Sequence, residues 1–422
     1  MTMRHVVVMV TSSYPRFPGD TVGTFMEPIA RGVAARGHAV HVVAPWHPLV
    51  ERPAREAGID FHFYRYAPRG CPHTFGYAGS LKADVRFRAS ALANTPLAVA
   101  AGIRNAGRVA RAAGATVMHG HWVVPGGFMA RMAGGRRLPL VVSLHGSDVY
   151  VAERHGLARG AARAAFSHAA WVTACSADLR ERAVALGAAF DRSGVLPYGV
   201  DTTRFAPSVE ARLVARQRLG LGVDSPLVFT AGRLVRKKGF EFLIEAAARL
   251  ASRWPAARVV IAGGGDLAGE LKGRARDAGV AHAVLFLGSI AQSQMPGWLS
   301  AADVVAVPSV RDDSGNVDGL PNVVLEALAS GTPLVSTPAG GIASVVEHGR
   351  TGLLVPERDP GALAAAIESL LADEALRSRI GQAARREVCE RHTWEQYAAH
   401  LESIYDRAVS RVAASPVIER SG

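Results

Sequence analysis

Short runs of aliphatic and β-branched residues alternate along this chain with longer Ala- and Arg-rich stretches of helical periodicity. The first series of apolar runs is VVVMV from Val6, AVHVV from Ala39, ATVMHG from Ala115, PLVVSLHG from Pro139 and AWVTACS from Ala170. A second series follows: LVFTAG from Leu227, ARVVIAGG from Ala257, AVLFLG from Ala283, DVVAVPS from Asp303 and PLVST from Pro333. Strands that alternate with helices build parallel sheets, and nearly continuous apolar strands are covered on both faces. The expected fold is therefore α/β with two Rossmann-like domains. The turn-rich segment Leu196 to Pro207, LPYGVDTTRFAP, divides the two series. We place an N-terminal domain at 1–200, a second at 201–390, a C-terminal helix at 391–410 that crosses back to the first domain, and a tail at 411–422.

Several polar residues fall just beyond predicted strands: Gly23, His121, His145, Arg233 and Asp318. In open α/β sheets that is where ligands bind. After LVFTAG comes GRLVRKKG, and a helix is predicted from about Phe240. Positive charge at a helix N-terminus opposes the local dipole, so Arg236, Lys237 and Lys238 call for an anion such as a diphosphate. A second loop-to-helix junction reads DGLPNVVLEALASG. Pro321 suits the first helical position, and the N–H groups of Asn322, Val323 and Val324 are candidates to meet an anion or sugar hydroxyls. Asp318 and Glu326 flank this start as acceptor-only groups for sugar hydroxyls. In the first half, Gly23 allows close backbone approach to a ligand. HGHW places His121 and Trp122 after a strand, and HGSD places His145 three residues before Asp148.

Composition narrows the partners. The net charge is +12, and the whole excess lies in residues 1–200, since residues 201–422 balance at 25 basic and 25 acidic residues. A basic first half favours an anionic acceptor or surface. No aromatic-interleaved basic motif accompanies the charge, so nucleic acid is set aside as a partner. Three widely spaced cysteines, Cys71, Cys175 and Cys389, fit buried small side chains in a reducing cytoplasm. Val6 to Val10 is too short for a signal peptide. The uncharged stretch Ala327 to Val346 contains Gly, Ser, Thr and Pro and is not read as a membrane span. No HxxxH or DxD spacing marks a metal site, and no cofactor is expected. IAGGGDLAGEL matches a dinucleotide fingerprint, but the acidic residue expected about 20 positions on is missing, which counts against a nicotinamide oxidoreductase.

The motifs GRLVRKKG, IAGGGDL, VPS, DGLPNVVLEALASGTPLVST and HGRTGLLVP stand in one order and spacing. In them, and from the first strand to about Tyr405, the chain resembles the retaining glycosyltransferases of family four, which have the glycosyltransferase-B fold. The resemblance implies metal-independent transfer of a sugar from a nucleotide diphosphate sugar, UDP- or GDP-linked, to a glycan or lipid-linked acceptor. It implies bacterial cell-surface polysaccharide or glycolipid synthesis, in the cytoplasm or peripherally on the inner face of the membrane. By the same resemblance Arg233 and Lys238 clamp the diphosphate and Glu326 holds the ribose. Asp318, where the family usually has the longer Glu, binds the transferred sugar. His145 lies beside the reacting sugar, Gly23, Asn322 and Val323 line the donor site, and His121 and Asp148 belong to the acceptor side. A nucleotide-sugar epimerase of this fold and a non-catalytic nucleotide-sugar binder fit the same residues; product analysis separates them.

Overall fold

The computed structural model describes residues 3–67, 73, 75–77, 81–82, 86–87, 89–222 and 224–414. The chain divides into two units, Met1–Leu196 with Glu395–Gly422, and Pro197–Trp394. Strands in chain order are β1 (Val6–Val10), β2 (Ala39–Pro45), β3 (Arg55–Glu56), β4 (Ile59–Tyr64), β5 (Leu81–Lys82), β6 (Arg86–Phe87), β7 (Val117–His121), β8 (Leu140–Leu144), β9 (Ala169–Ala174) and β10 (Ser193–Val195) in the first unit. The second unit holds β11 (Leu227–Ala231), β12 (Arg258–Ala262), β13 (Val284–Gly288), β14 (Val304–Val307), β15 (Leu334–Ser336) and β16 (Leu353–Leu354).

The first sheet runs β10-β9-β8-β7-β1-β2-β4-β3, parallel except for the β3–β4 edge. Its middle is dry: Val7, Val8, Met9 and Val10 are fully buried. The order reverses between β1 and β7, which pair directly, so a topological switch point opens at their C-terminal ends. The helix Met26–Ala35 turns Met26, Ile29, Ala30 and Val33 onto this sheet, the i, i+3, i+4, i+7 stripe of an amphipathic helix. The C-terminal helix Trp394–Ala414 is tied to the unit by long-range bonds. Arg36 Nε donates to Glu402 at 2.6 Å, His5 Nε2 lies 2.8 Å from Asp406, and His119 Nδ1 lies 2.7 Å from the Tyr405 hydroxyl.

The second sheet runs β13-β12-β11-β14-β15-β16, all parallel, with its switch point between β11 and β14. The helix Phe240–Ala251 packs Leu243, Ile244, Ala247 and Leu250 against Val228, Val259, Ile261 and Val304 in one apolar core. The ten apolar runs read from the sequence are all strands. The other strands, β3, β4, β5, β6, β10 and β16, carry no such run. In β4 the sequence IDFHFY alternates polar and apolar residues beside a two-residue edge strand, a weaker signal than a run buried on both faces.

Cys175 is buried as expected, but Cys389 is exposed on the helix Glu374–Arg391, a correction to its reading as a core residue. Cys71 lies outside the described residues.

Candidate functional site

In the second unit the site grows from the loop after β11. Gly232 is followed by Arg233, a single turn of Arg236–Lys238, and Gly239 in the left-handed region at φ +62°. A Cβ at Gly239 would fall 2.0 Å from the carbonyl oxygen of Pro308, so only glycine lets the loops after β11 and β14 touch. That contact brings the lysines to Asp318. Lys238 Nζ lies 2.6 Å and Lys237 Nζ 3.2 Å from its two carboxylate oxygens. Burial alone would raise this carboxyl, but Lys238 and then Lys237 outweigh it and hold Asp318 well below the usual carboxylate range. The anion demanded by the basic loop is thus supplied within the chain by Asp318. Arg236 is matched separately, at 2.6 Å from Glu270. Arg233 is exposed, within the electrostatic reach of Asp318 and Asp266.

Two glycine clusters brace these groups. Gly263 at φ +143° would place a Cβ 1.8 Å from the Gly232 carbonyl, and Gly265 would crowd Leu234 in the same way. The glycines of the apparent dinucleotide fingerprint therefore serve close packing of two backbone loops, sealed by Leu234 N–H to Gly264 O at 2.9 Å. Gly340, at φ +60°, would place a Cβ 1.9 Å from the Asp318 carbonyl. Sequence reading missed its role, although the pair Gly340–Gly341 directly after a strand and turn was visible.

The helix Asn322–Ala329 is buried at every position from Val323 to Ala329, and Glu326 is the one charged residue among them. Its Oε1 accepts a 3.3 Å bond from Gln292 Nε2. Burial, only partly offset by Gln292 and Arg204, pushes its carboxyl up to about 7. A carboxylate sunk in an apolar helix with one long bond is under-satisfied and fits added hydroxyl donors. Two expectations need correcting. Pro321 is the N-cap rather than the first helical residue, and Val324 N–H already bonds Pro321 O at 3.0 Å, leaving Asn322 and Val323 as the helix-start candidates. Beside Asp318, buried Asn316 has no hydrogen-bond partner for either amide atom among the described residues, a candidate the sequence did not single out.

In the first unit His145 follows β8 and His121 ends β7. His145 Nε2 lies 3.1 Å from His121 Nδ1, and the two rings are nearly parallel at 8°. The His119 ring packs tilted against His121, 4.1 Å between centroids, and is held at both nitrogens, by Tyr405 and by Ser143 Oγ at 2.8 Å. Phe25 and Trp122 close over His145 at 4.6 and 4.8 Å between ring centroids. Trp122 packs here on a backbone at φ +59°, a rare conformation for a bulky residue and one concentrated at functional sites. Burial holds His119 and His145 down at about 3 and His121 well below its ordinary value, so all three rings are neutral.

Two of the assigned acceptor contacts are corrected by burial. His121 has no exposed surface and stands behind His145. Asp148 is buried, with one carboxylate oxygen accepting Val123 N–H at 2.7 Å and the other Gly146 N–H at 3.0 Å. It braces the loops after β7 and β8. Gly23, at φ +65°, holds the loop after β1 against Ser13, where a Cβ would fit at 3.6 Å, so its left-handed backbone and not space requires glycine. Among the described residues no three His, Cys, Asp or Glu side chains gather as a metal site.

Residues 22–204 match the family model described as Glycosyltransferase Family 4, and residues 212–387 match that described as Glycosyl transferases group 1. The chain is 34% identical over 400 residues to the GDP-mannose-dependent alpha-(1-6)-phosphatidylinositol monomannoside mannosyltransferase of Mycobacterium tuberculosis, covering 94% of this chain and 96% of that one. The Mycolicibacterium smegmatis protein of the same description is 38% identical over 279 residues, covering 65% of this chain and 71% of that one. The Anabaena protein HepE, solved in complex with UDP and glucose, matches in fold with a TM-score of 0.74 at 21% identity, over 95% of this chain and 99% of that one. The chain belongs to glycosyltransferase family 4, the glycosyl transferases group 1, and is a nucleotide-sugar glycosyltransferase of the GT-B type.

Proposed function

We propose that the enzyme transfers mannose from GDP-mannose to a hydroxyl of a lipid-linked, inositol-containing glycan, with retention of the anomeric configuration and without a metal. The observation that carries the donor site is the cluster of Lys237, Lys238 and Asp318 at the β11–β14 switch point, with Arg233 beside it. Its cations serve as the preorganised charge that a departing diphosphate needs. The C1–O bond to the β-phosphate breaks as the C1–O bond to the acceptor forms, and the acceptor proton leaves with the phosphate oxygen. Arg233 and Lys238 stabilise that oxygen, Asp318 accepts from hydroxyls of the transferred sugar, and Glu326 accepts from the ribose. Asn322 and Val323 meet the donor at the helix start, and Gly23 and His145 are the first unit's residues for the donor and the transferred sugar. The choice of GDP-mannose and of an inositol lipid rests on the mycobacterial relatives. An anionic membrane surface is the workplace that the basic first half favours.

The test is a panel of nucleotide sugars with and without a phosphatidylinositol mannoside acceptor, followed by linkage analysis of the product. Release of GDP coupled to a new α-mannosyl lipid is expected, and turnover survives EDTA. Formation of an epimer without transfer overturns the reading, as does turnover that chelation abolishes and magnesium restores. Arg233→Ala and Lys238→Ala each lower turnover by about 10²-fold, less than additively because both serve one diphosphate.

A further inference from the structure

His121 is a polar residue where packing alone would place an apolar one: its ring is fully buried and kept neutral. Its Nδ1 shares a hydrogen bond with His145, and its Nε2 has no partner among the described residues. A buried imidazole in this state costs stability relative to an aliphatic side chain, so the bond to His145 is what its polarity serves. The obvious alternative orienting group, Asp148, is occupied by the backbone N–H groups of Val123 and Gly146.

The protons can be assigned. Two neutral rings share the 3.1 Å bond, so one nitrogen donates and the other accepts. If His145 Nε2–H donated, His121 would carry its hydrogen on Nε2, a buried N–H with no acceptor. If His121 Nδ1–H donates, only a bare lone pair is left at Nε2. Orphaned buried donors are the rarer case, because an N–H has a single bond to satisfy. We propose that His121 is a positioning residue: its Nδ1–H donates to Nε2 of His145 and holds that ring in the tautomer with its hydrogen on Nδ1, so that His145 presents a donor to the substrate. His121 is braced in turn by His119, which Tyr405 and Ser143 grip at both nitrogens, and Ser143 Oγ lies 2.7 Å from Thr173 Oγ1. The catalytic consequence rests on the reading of His145 as a substrate contact; the tautomer does not.

Two measurements on the full chain separate the two. Imidazole ¹⁵N spectra of histidine-labelled protein, with His145 assigned by difference from His145→Gln, are expected to show Nε2 without hydrogen and Nδ1 with it. Hydrogen on Nε2 of His145 overturns the assignment whatever the activity. In turnover of GDP-mannose with the mannoside acceptor, His121→Leu lowers kcat by roughly 10- to 100-fold, the scale of a small misplacement, while GDP affinity is unchanged. His121→Asn, whose amide can supply a donor, restores much of the loss, which answers the objection that the leucine variant misfolds. In a His145→Ala background, His121→Leu has no further effect. An independent, additive loss overturns the positioning role, as does full activity of His121→Leu beside an impaired His145→Ala. If His145→Ala itself retains full turnover, the substrate contact fails and the spectra still decide the tautomer.

Discussion

Glu326 carries the sharpest consequence at the level of one residue. Its carboxyl ionises near 7 in the folded protein against an ordinary 4.5. Between those values the native state holds a proton that the unfolded chain has released, so this group's contribution to stability falls as pH rises through the window and is lowest above 7. Glu326→Gln removes that penalty, and denaturant unfolding should show the variant about 1–3 kcal/mol more stable than wild type at pH 8, with little difference at pH 4.5. On the proposed ribose contact, the same substitution is expected to weaken GDP binding. Wild-type affinity for GDP should then rise from pH 6 to pH 8 with release of a proton, measurable by calorimetry in buffers of different ionisation enthalpy, and the Gln variant should lose that dependence. Asp318 titrates in the opposite sense: its folded carboxyl is depressed, so its ion pairs stabilise at neutral pH and are lost only in strong acid.

At the scale of elements, the site is held by loops whose glycines let backbone touch backbone. Gly340→Ala tests this. The new Cβ would meet the Asp318 carbonyl at 1.9 Å, and the residue would keep φ +60°. We expect a loss of about 1–3 kcal/mol in stability, together with a fall in turnover, because the segment that carries Asp318 must shift away from Lys237 and Lys238. A variant with wild-type stability and turnover would show that the loop accommodates the methyl group. The motif spacing made this junction legible as a loop-to-helix anion site. It did not reveal that Gly340, 22 positions downstream of Asp318, is the floor beneath it, since that contact arises from the pairing of β14 with β15.

For the molecule as a whole, charge is the property with reach. No helix among the described residues is long and apolar enough to cross a membrane, and the attachment put to the test is electrostatic. The basic residues of the stretch 65–111 are Arg65, Arg69, Lys82, Arg86, Arg88, Arg104, Arg108 and Arg111. Arg104, Arg108 and Arg111 are exposed and share one face of the helix Ala89–Ala113, while Arg65 lies over the Trp46 ring at 3.7 Å. Arg69 and Arg88 lie outside the described residues, and Lys82 and Arg86 are placed only as members of β5 and β6. Each basic residue near an anionic leaflet contributes about 1 kcal/mol before screening. Flotation with phosphatidylinositol-containing vesicles should show binding at low salt that high salt reverses and that Arg104→Glu, Arg108→Glu and Arg111→Glu together abolish. No binding at low salt would refute the membrane surface as workplace.

By itself the amino-acid order determined the class of fold and where a set of polar residues stands along it. Apolar runs of strand length alternating with helical stretches admit parallel α/β sheets and little else, and polar residues placed just past those runs fall at strand ends because a buried strand cannot hold them. Arg233 and His145 were placed in that way, Lys238 by the basic loop before a helix, and Asp318 and Glu326 by the start of the helix Asn322–Ala329. Only the tertiary structure decided which of them meet and in what charge state. Asp318 answers lysines 80 and 81 positions earlier, Asp148 is taken up by backbone N–H groups, and Glu326 is pushed to about 7 by a wholly buried helix. His121 passes from the acceptor side to a place behind His145. These facts depend on sheet order and depth of burial, and both are set by packing between segments far apart in the chain, which no local pattern of residues records.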